Sequence, residues 1–135
     1  MSERTCAIIK PDAVAANVSG DIIKLIELNK FSIVRMNKIL VTKQQAEAFY
    51  AVHRERPFFG ELVDFMTSAP VIVMALEKEQ AIAQWRTLMG ATDPKKATPG
   101  TLRFMFGTSI GTNATHGSDA PETAATELKI FFSDL

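Results

Sequence analysis

The run Asn113-Ala114-Thr115-His116-Gly117-Ser118-Asp119 puts one imidazole among small, polar residues, just ahead of a helix start marked by Pro121. An unperturbed imidazole, with a pKa near ~6.5, offers a free nitrogen lone pair at neutral pH. That lone pair can attack phosphorus, move a proton or hold a metal. A zinc site needs three or four Cys, His or carboxylate ligands at suitable spacing, and Cys6, His53 and His116 lie far apart along the chain. Gly107-Thr108-Ser109-Ile110-Gly111 has the letters of a hydrolase nucleophile elbow, but it sits in a loop with no helix after it. No Gly-x-x-x-x-Gly-Lys-[Ser/Thr] run exists to form a P-loop. Phosphate is what remains. Lys10, Arg86 and Arg103 each stand at the edge of an expected element, Thr92 heads a long loop, and Asn113 and His116 close it. Each taken alone reads as a solvated or structural side chain. Together they make a cationic pocket with one nucleophile and a hydroxyl donor, the set that phosphoryl transfer needs.

Secondary structure must bring these groups together. Thr5 to Ile9 is a short apolar run with β-branched members, which suits a strand buried on both faces. Lys10-Pro11-Asp12 ends it; proline keeps Lys10 extended, so its amine projects from the strand's carboxyl end. Ser19 is expected as an N-cap with Asp21 in the first turn, and Ile22, Leu25 and Ile26 form a helix face that ends near Asn29 and Lys30. Phe31 to Leu40 alternates apolar residues with Arg35 and Lys38, as a strand with one partly wet face does. Thr42 and Gln45 form a capping-box pattern, after which Ala46, Phe49, Tyr50 and His53 fall on one helix face. Such an aromatic stripe usually packs in a core.

Pro57 can open another helix carrying Phe58, Phe59, Leu62, Phe65 and Met66, and its surplus of aromatics leaves one candidate stacking surface. Val71 to Leu76 reads as a central strand. Ala81, Ile82, Trp85, Leu88 and Met89 then repeat at helical spacing up to Gly90, with Arg86 on the flank of that stripe. From Gly90 to Thr115 Gly, Thr, Pro, Asp and Asn dominate, and a connection so long is usually functional or disordered. Arg103, Phe104 and Phe106 predict a short ordered turn within it. A short strand can precede the last helix, Glu122 to Phe132, which has Pro121 near N1. Ala124, Leu128, Phe131 and Phe132 share its apolar face, and Glu127 lies off that face, able to point back at His116. The order predicts an α/β sandwich with an antiparallel or mixed sheet, helices covering at least one face.

Composition sets the frame. The 135 residues are 47% hydrophobic and 22% charged, with 15 basic and 15 acidic side chains in balance. One domain over residues 1–135 is expected, burying roughly two thirds of the surface its unfolded chain exposes. The lone cysteine, Cys6, fits a reducing cytoplasmic setting. No apolar stretch approaches the ~20 residues of a membrane span, and Met1 to Thr5 lacks a signal peptide's apolar region, so neither membrane nor export is expected. Neutral charge makes nucleic acid an unlikely partner, although Leu102-Arg103-Phe104-Met105-Phe106-Gly107 faintly echoes an RNA-binding strand.

Ile9-Lys10-Pro11-Asp12-Ala13-Val14, the stretch around Tyr50, Pro57-Phe58-Phe59, Gly90-Ala91-Thr92-Asp93-Pro94, Gly100-Thr101-Leu102-Arg103 and Asn113-x-x-His116-Gly117-Ser118-Asp119 with Glu127 resemble the nucleoside diphosphate kinase family. The match runs in register from about Arg4 to Phe132. The resemblance implies a ferredoxin-like βαββαβ sandwich, its antiparallel four-stranded sheet covered by helices. It implies transfer of the γ-phosphoryl group of a nucleoside triphosphate to a nucleoside diphosphate, by a ping-pong route through a phosphohistidine at His116. Glu127 matches the carboxylate that fixes the histidine's tautomer. Tyr50 matches the hydroxyl that helps position it. Lys10 and Asn113 match residues on the sugar hydroxyls, with Lys10 also near the transferred group. Arg86, Thr92 and Arg103 match phosphate contacts, and His53 stands where the family has another phosphate-side residue. Phe58 matches the ring that stacks on the base, with Leu62 and Ile110 lining that slot; stacking without base-edge hydrogen bonds implies broad base specificity. Gly117 reads as clearance beside a phosphorylated ring. Mg2+ is expected through the nucleotide phosphates with no dedicated protein ligand, Asp119 being nearest through water.

Four places depart from the family pattern: Lys30 where glycine is usual, Ser68-Ala69-Pro70 for Ser-Gly-Pro, Thr112 before the asparagine, and Met105 near Arg103. They bear on subunit contacts and loop stability. Association into a homo-oligomer is implied. The chain ends at Leu135 without the extension that braces many hexamers, which leaves tetramer and hexamer both open. Two alternatives stand beside the enzyme: a nucleotide-binding regulator on the same pocket, and an RNA-binding ferredoxin-like module.

Overall fold

A computed structural model describes residues 2–135. Strands β1 (Ser2–Ile9), β2 (Ser32–Ile39), β3 (Val71–Glu79) and β4 (Thr115–Gly117) form one antiparallel sheet in the order β2-β3-β1-β4. The helices are α1 (Pro11–Ala15), α2 (Ser19–Leu28), α3 (Lys43–Phe49), α4 (Phe59–Met66), α5 (Ala81–Met89), α6 (Leu102–Phe106) and α7 (Pro121–Phe131), with 3-10 turns at Ala51–His53 and Pro94–Lys96.

The two inner strands explain their unbroken apolar runs. Side chains alternate between faces of a strand. Ala7 and Ile9 of β1, with Ile72, Met74 and Leu76 of β3, face a core that holds Ile22, Ile26, Trp85 and Leu102. Cys6 and Ile8, with Val71, Val73 and Ala75, face a second core with Ala46, Val63 and Leu128. Helices therefore cover both faces, and neither central strand has a wet side. Edge strand β2 keeps Met36 exposed, in line with its mixed pattern.

Local signals hold where chain-local chemistry decides the conformation. Thr42 accepts from Gln45 N while the Gln45 side chain accepts from Thr42 N, closing the capping box. Pro121 opens α7, and Lys10 is extended at φ −75°, ψ 165°. Lys30 takes φ 69°, a left-handed conformation that glycine adopts without strain.

Several expectations need correction. Ser19 is the first helical residue and not the cap; Val18 holds that place with no side-chain bond, because the chain enters α2 directly from the extra short helix α1. His53 does not continue α3. The helix ends at Phe49 and tightens into a 3-10 turn, with His53 N donating to the Tyr50 carbonyl at 2.8 Å. Pro57 stands outside α4, which begins at Phe59 in a turn closed from Phe59 N to the Arg56 carbonyl. The run from Leu102 to Phe106 is helix α6, capped by Thr101, so it offers no strand for base stacking. Among the described residues, no helix is long and apolar enough to cross a membrane.

Candidate active site

Strand β4 carries His116 and is only three residues long, so its own ladder cannot fix it firmly. It pairs with β1 through Ile8 opposite His116 and Ile9 opposite Thr115. Side chains from other elements grip the rest of its backbone. Arg103 Nη2 donates to the Thr115 carbonyl at 2.8 Å, and the Trp85 indole donates to the His116 carbonyl at 3.0 Å. Asp12 accepts from Ala114 N at 3.0 Å. Burying so many paired backbone groups makes β4 a fixed platform, since each would be costly to leave unpaired.

On this platform the His116 ring meets Glu127 of α7, with Nε2 3.1 Å from Oε1. The same oxygen accepts from Ser118 Oγ at 2.7 Å, and Ser118 Oγ in turn accepts from Cys6 N at 3.1 Å. An oxygen already accepting from a hydroxyl contacts the imidazole as an acceptor, so Nε2 carries a proton, and in the neutral ring Nδ1 is the nitrogen with the lone pair. The Phe49 ring stands edge-on to the imidazole, centroids 4.7 Å apart. Glu127 is thus buried, although it lies off the face expected to be apolar.

A cavity of about 510 Å³ opens over this pair. Tyr50, His53, Arg86, Thr92, Arg103, His116, Gly117, Asp119 and Glu127 line it. Burial, and next the charge of Glu127, push the Tyr50 hydroxyl well above its usual pKa, so it stays a donor. Arg103 is nearly buried and divides its guanidinium between the Thr115 and Gly90 carbonyls, the latter at 3.1 Å. Its buried Nε has no partner. Burial, then Arg86, lower its pKa. Arg86 is exposed and reaches Asp119 at 3.5 Å.

Lys10 and Asn113 stand beside the cavity's lining. Lys10 Nζ donates to Asn113 Oδ1 at 2.9 Å, and Asn113 Nδ2 donates to the Thr92 carbonyl at 3.0 Å, which ties both to the wall. Burial brings the Lys10 amine down to about 8 against the upward pull of Asp12, with Arg103 adding to the fall. Phe58 caps α4 next to His53, ring centroids 5.5 Å apart, and Leu62 follows one turn later. Phe58 and Ile110 are exposed, outside the cavity proper.

Gly117 stands against the indole: a Cβ there would meet Trp85 Cδ1 and Met89 Cε, the latter at 2.7 Å, so glycine admits the ring whose nitrogen holds the His116 carbonyl. Sequence reasoning missed Asp12, Phe49, Trp85 and Ser118 as parts of the site. Ser118 lies inside the histidine run and Asp12 beside Lys10, so proximity could have flagged both; nothing local marks Trp85 as more than core.

A sequence model of nucleoside diphosphate kinase matches residues 3–135. The chain belongs to the nucleoside diphosphate kinase family. Its Pelobacter propionicus relative is 62% identical over 133 residues, 98% of this chain and 97% of that one. The Aquifex aeolicus nucleoside diphosphate kinase structure superposes with a TM-score of 0.96 at 43% identity, covering 99% of this chain and 97% of that one. That of Halobacterium salinarum, in complex with CDP, gives 0.94 at 39% identity over 99% of this chain and 90% of that one. The fold is the ferredoxin-like α+β sandwich of those enzymes. A nucleoside diphosphate kinase is a phosphotransferase, so the enzyme reading stands over the regulator and the RNA-binding module.

Proposed function

We propose that this enzyme moves the γ-phosphoryl group between nucleotides in two displacements through His116. The observation that carries the reading is the bond from Nε2 to Glu127, which leaves Nδ1 free at a cavity walled by Arg86, Thr92 and Arg103. Nδ1 forms a bond to the γ-phosphorus as the bond from phosphorus to the bridging oxygen breaks, and the departing diphosphate takes that electron pair. The Nε2 proton stays on the ring, where Glu127 balances the positive charge that phosphorylation leaves there. A terminal oxygen of the acceptor diphosphate then attacks the same phosphorus and returns Nδ1 to its starting state.

The remaining roles are those the family resemblance implies. Arg86, Arg103, Thr92 and His53 hold the phosphates, and the Tyr50 hydroxyl donates toward the transferred group. Lys10 and Asn113, already paired, hold the sugar hydroxyls. The base stacks on Phe58 beside Leu62 and Ile110; any base has a π-face, so specificity is broad. The CDP held by the halophilic relative supports a nucleoside diphosphate as ligand. Among the described residues no three His, Cys, Asp or Glu side chains converge, so the donor set fits an ion carried by the nucleotide. Asp119, on the cavity wall with an exposed side chain, would hold one of its waters. Bound Mg2+ would neutralise phosphate charge.

Two cores on the two faces of one sheet support a single domain over residues 1–135. A buried, unpaired Cys6 agrees with a cytoplasmic setting. Association into a homo-oligomer is part of this reading, and light scattering would separate tetramer from hexamer.

The test is direct. Protein incubated with γ-labelled ATP and Mg2+, then isolated, is expected to carry an acid-labile, base-stable label that an added diphosphate removes. Protein that takes no label would sink the two-step route.

The Lys10 amine sets a second expectation. With its pKa at about 8, kcat/KM is expected to fall above that pH, by about tenfold per unit once the amine is neutral. The kcat limb lies higher, because bound phosphate favours the charged amine. A kcat/KM profile flat to pH 10 would remove Lys10 from nucleotide binding. Stability moves the other way. The folded chain releases this proton first, the unfolded chain only in the ordinary lysine range, so between those values the unfolded state binds more protons and stability from this site rises with pH.

A further inference from the structure

Asn17, Lys30, Gln80 and Ala114 are the non-glycine residues with left-handed backbone among those described, and the first three are exposed. Ala114, at φ 74°, is fully buried. A β-carbon disfavours this conformation, and it persists only when the surroundings impose it. Two groups do so here. Ala114 O accepts from Lys10 N at 2.8 Å, and Ala114 N donates to Asp12 Oδ2 at 3.0 Å. The other Asp12 oxygen is buried with no hydrogen-bond partner, so the Ala114 amide is the one hydrogen-bond donor the side chain meets. A buried acceptor left half satisfied is costly to folding, and apolar packing alone would not ask for it.

We propose that Asp12 is a positioning residue for phosphoryl transfer: its carboxylate holds Ala114 left-handed, which sets Asn113 against Lys10 and Thr92 and delivers His116 to the cavity in register. This deepens the phosphohistidine reading and rests on it. The lever is short. Ala114 stands between Asn113, whose side chain bridges Lys10 and Thr92, and Thr115, where pairing with β1 begins. If Ala114 relaxes toward ordinary backbone angles, the chain swings on both sides of it, and each contact of β4 must shift.

The experiment is a double-substitution cycle read as the single-turnover rate of label transfer from γ-labelled ATP to the protein, with the melting temperature followed in parallel. Asp12→Ala is expected to slow labelling about ten- to hundredfold, the loss of one hydrogen bond to a charged acceptor. Ala114→Gly alone is expected to label within about threefold of the parent, since glycine adopts the conformation unaided. Combined, Ala114→Gly should recover at least about fivefold of the Asp12→Ala loss, because the grip is no longer needed. A purely structural Asp12 would lower the melting temperature without this selective rescue. Asp12→Asn keeps an acceptor oxygen but not its charge, so it is expected to slow labelling by about three- to tenfold and to be rescued by Ala114→Gly in the same cycle; it serves as the measurement if Asp12→Ala does not fold. Full-rate labelling by folded Asp12→Ala, independent effects in the cycle, or a hundredfold loss in Asp12→Asn would each overturn the proposal. Failure of the parent protein to take label would instead overturn the phosphohistidine reading.

Discussion

His116→Ala is expected to lower phosphoryl transfer by at least about 10⁴-fold and to abolish the protein-bound label, since His116 is the cavity imidazole paired with a buried carboxylate and proposed to carry the phosphoryl group. The substitution should leave the fold intact. Glu127 keeps its bond from Ser118, and Ser118 keeps the bond from Cys6 N, so the buried carboxylate is not orphaned. What is lost is the bond to Glu127, the Phe49 contact and part of a side chain that is 26% exposed, a cost of about 1–2 kcal/mol. Near-normal melting with loss of both exchange and label is therefore the expected pair of results. His116→Ala with full exchange activity would remove His116 as nucleophile.

Trp85→Ala is expected to have the largest effect on stability, about 3–5 kcal/mol, because it empties the centre of one core. The indole is fully buried, packs edge-on to Phe31 with centroids 6.0 Å apart, and lies against Gly117. Trp85→Phe separates packing from hydrogen bonding. It keeps most of the apolar surface but removes the indole's hydrogen bond to the His116 carbonyl, a loss of about 1 kcal/mol. Because that carbonyl belongs to the residue proposed as the nucleophile, Trp85→Phe should also slow label formation. Thermal melts and single-turnover labelling on the two variants check this. A Trp85→Phe protein with parental stability and labelling rate would show that the indole hydrogen bond holds nothing in place.

The two substitutions touch the same three-residue strand from opposite sides, one at its side chain and one at its backbone. β4 is too short to be stable by its own pairing, and its position is decided by Trp85, Arg103 and Asp12, which lie 31, 12 and 102 residues away from the groups they bind. This explains why a run rich in small polar residues, at the end of a long loop, is among the most buried parts of the chain at Asn113, Ala114 and Thr115.

By itself the sequence determined the features whose cause is local. The apolar runs of β1 and β3 gave away strands covered on both faces, the Thr42–Gln45 box and Pro121 marked helix starts, and the histidine motif carried the family resemblance. Tertiary structure decided the rest. Helices as short as α1 and α6 have too few internal hydrogen bonds to be specified by periodicity, and they form because Pro11, Ala13 and Leu102 are buried. The end of α3 at Phe49, one turn before spacing would stop it, is likewise settled by a 3-10 turn that spacing does not encode. Above all, the meeting of Lys10 with Asn113, of His116 with Glu127 and Ser118, and of Gly117 with Trp85 is a matter of sheet order. Side-chain chemistry is written residue by residue, but which carboxylate, indole or cation reaches a given imidazole depends on β4 pairing with β1, and a chain read in one dimension does not show its own folding back.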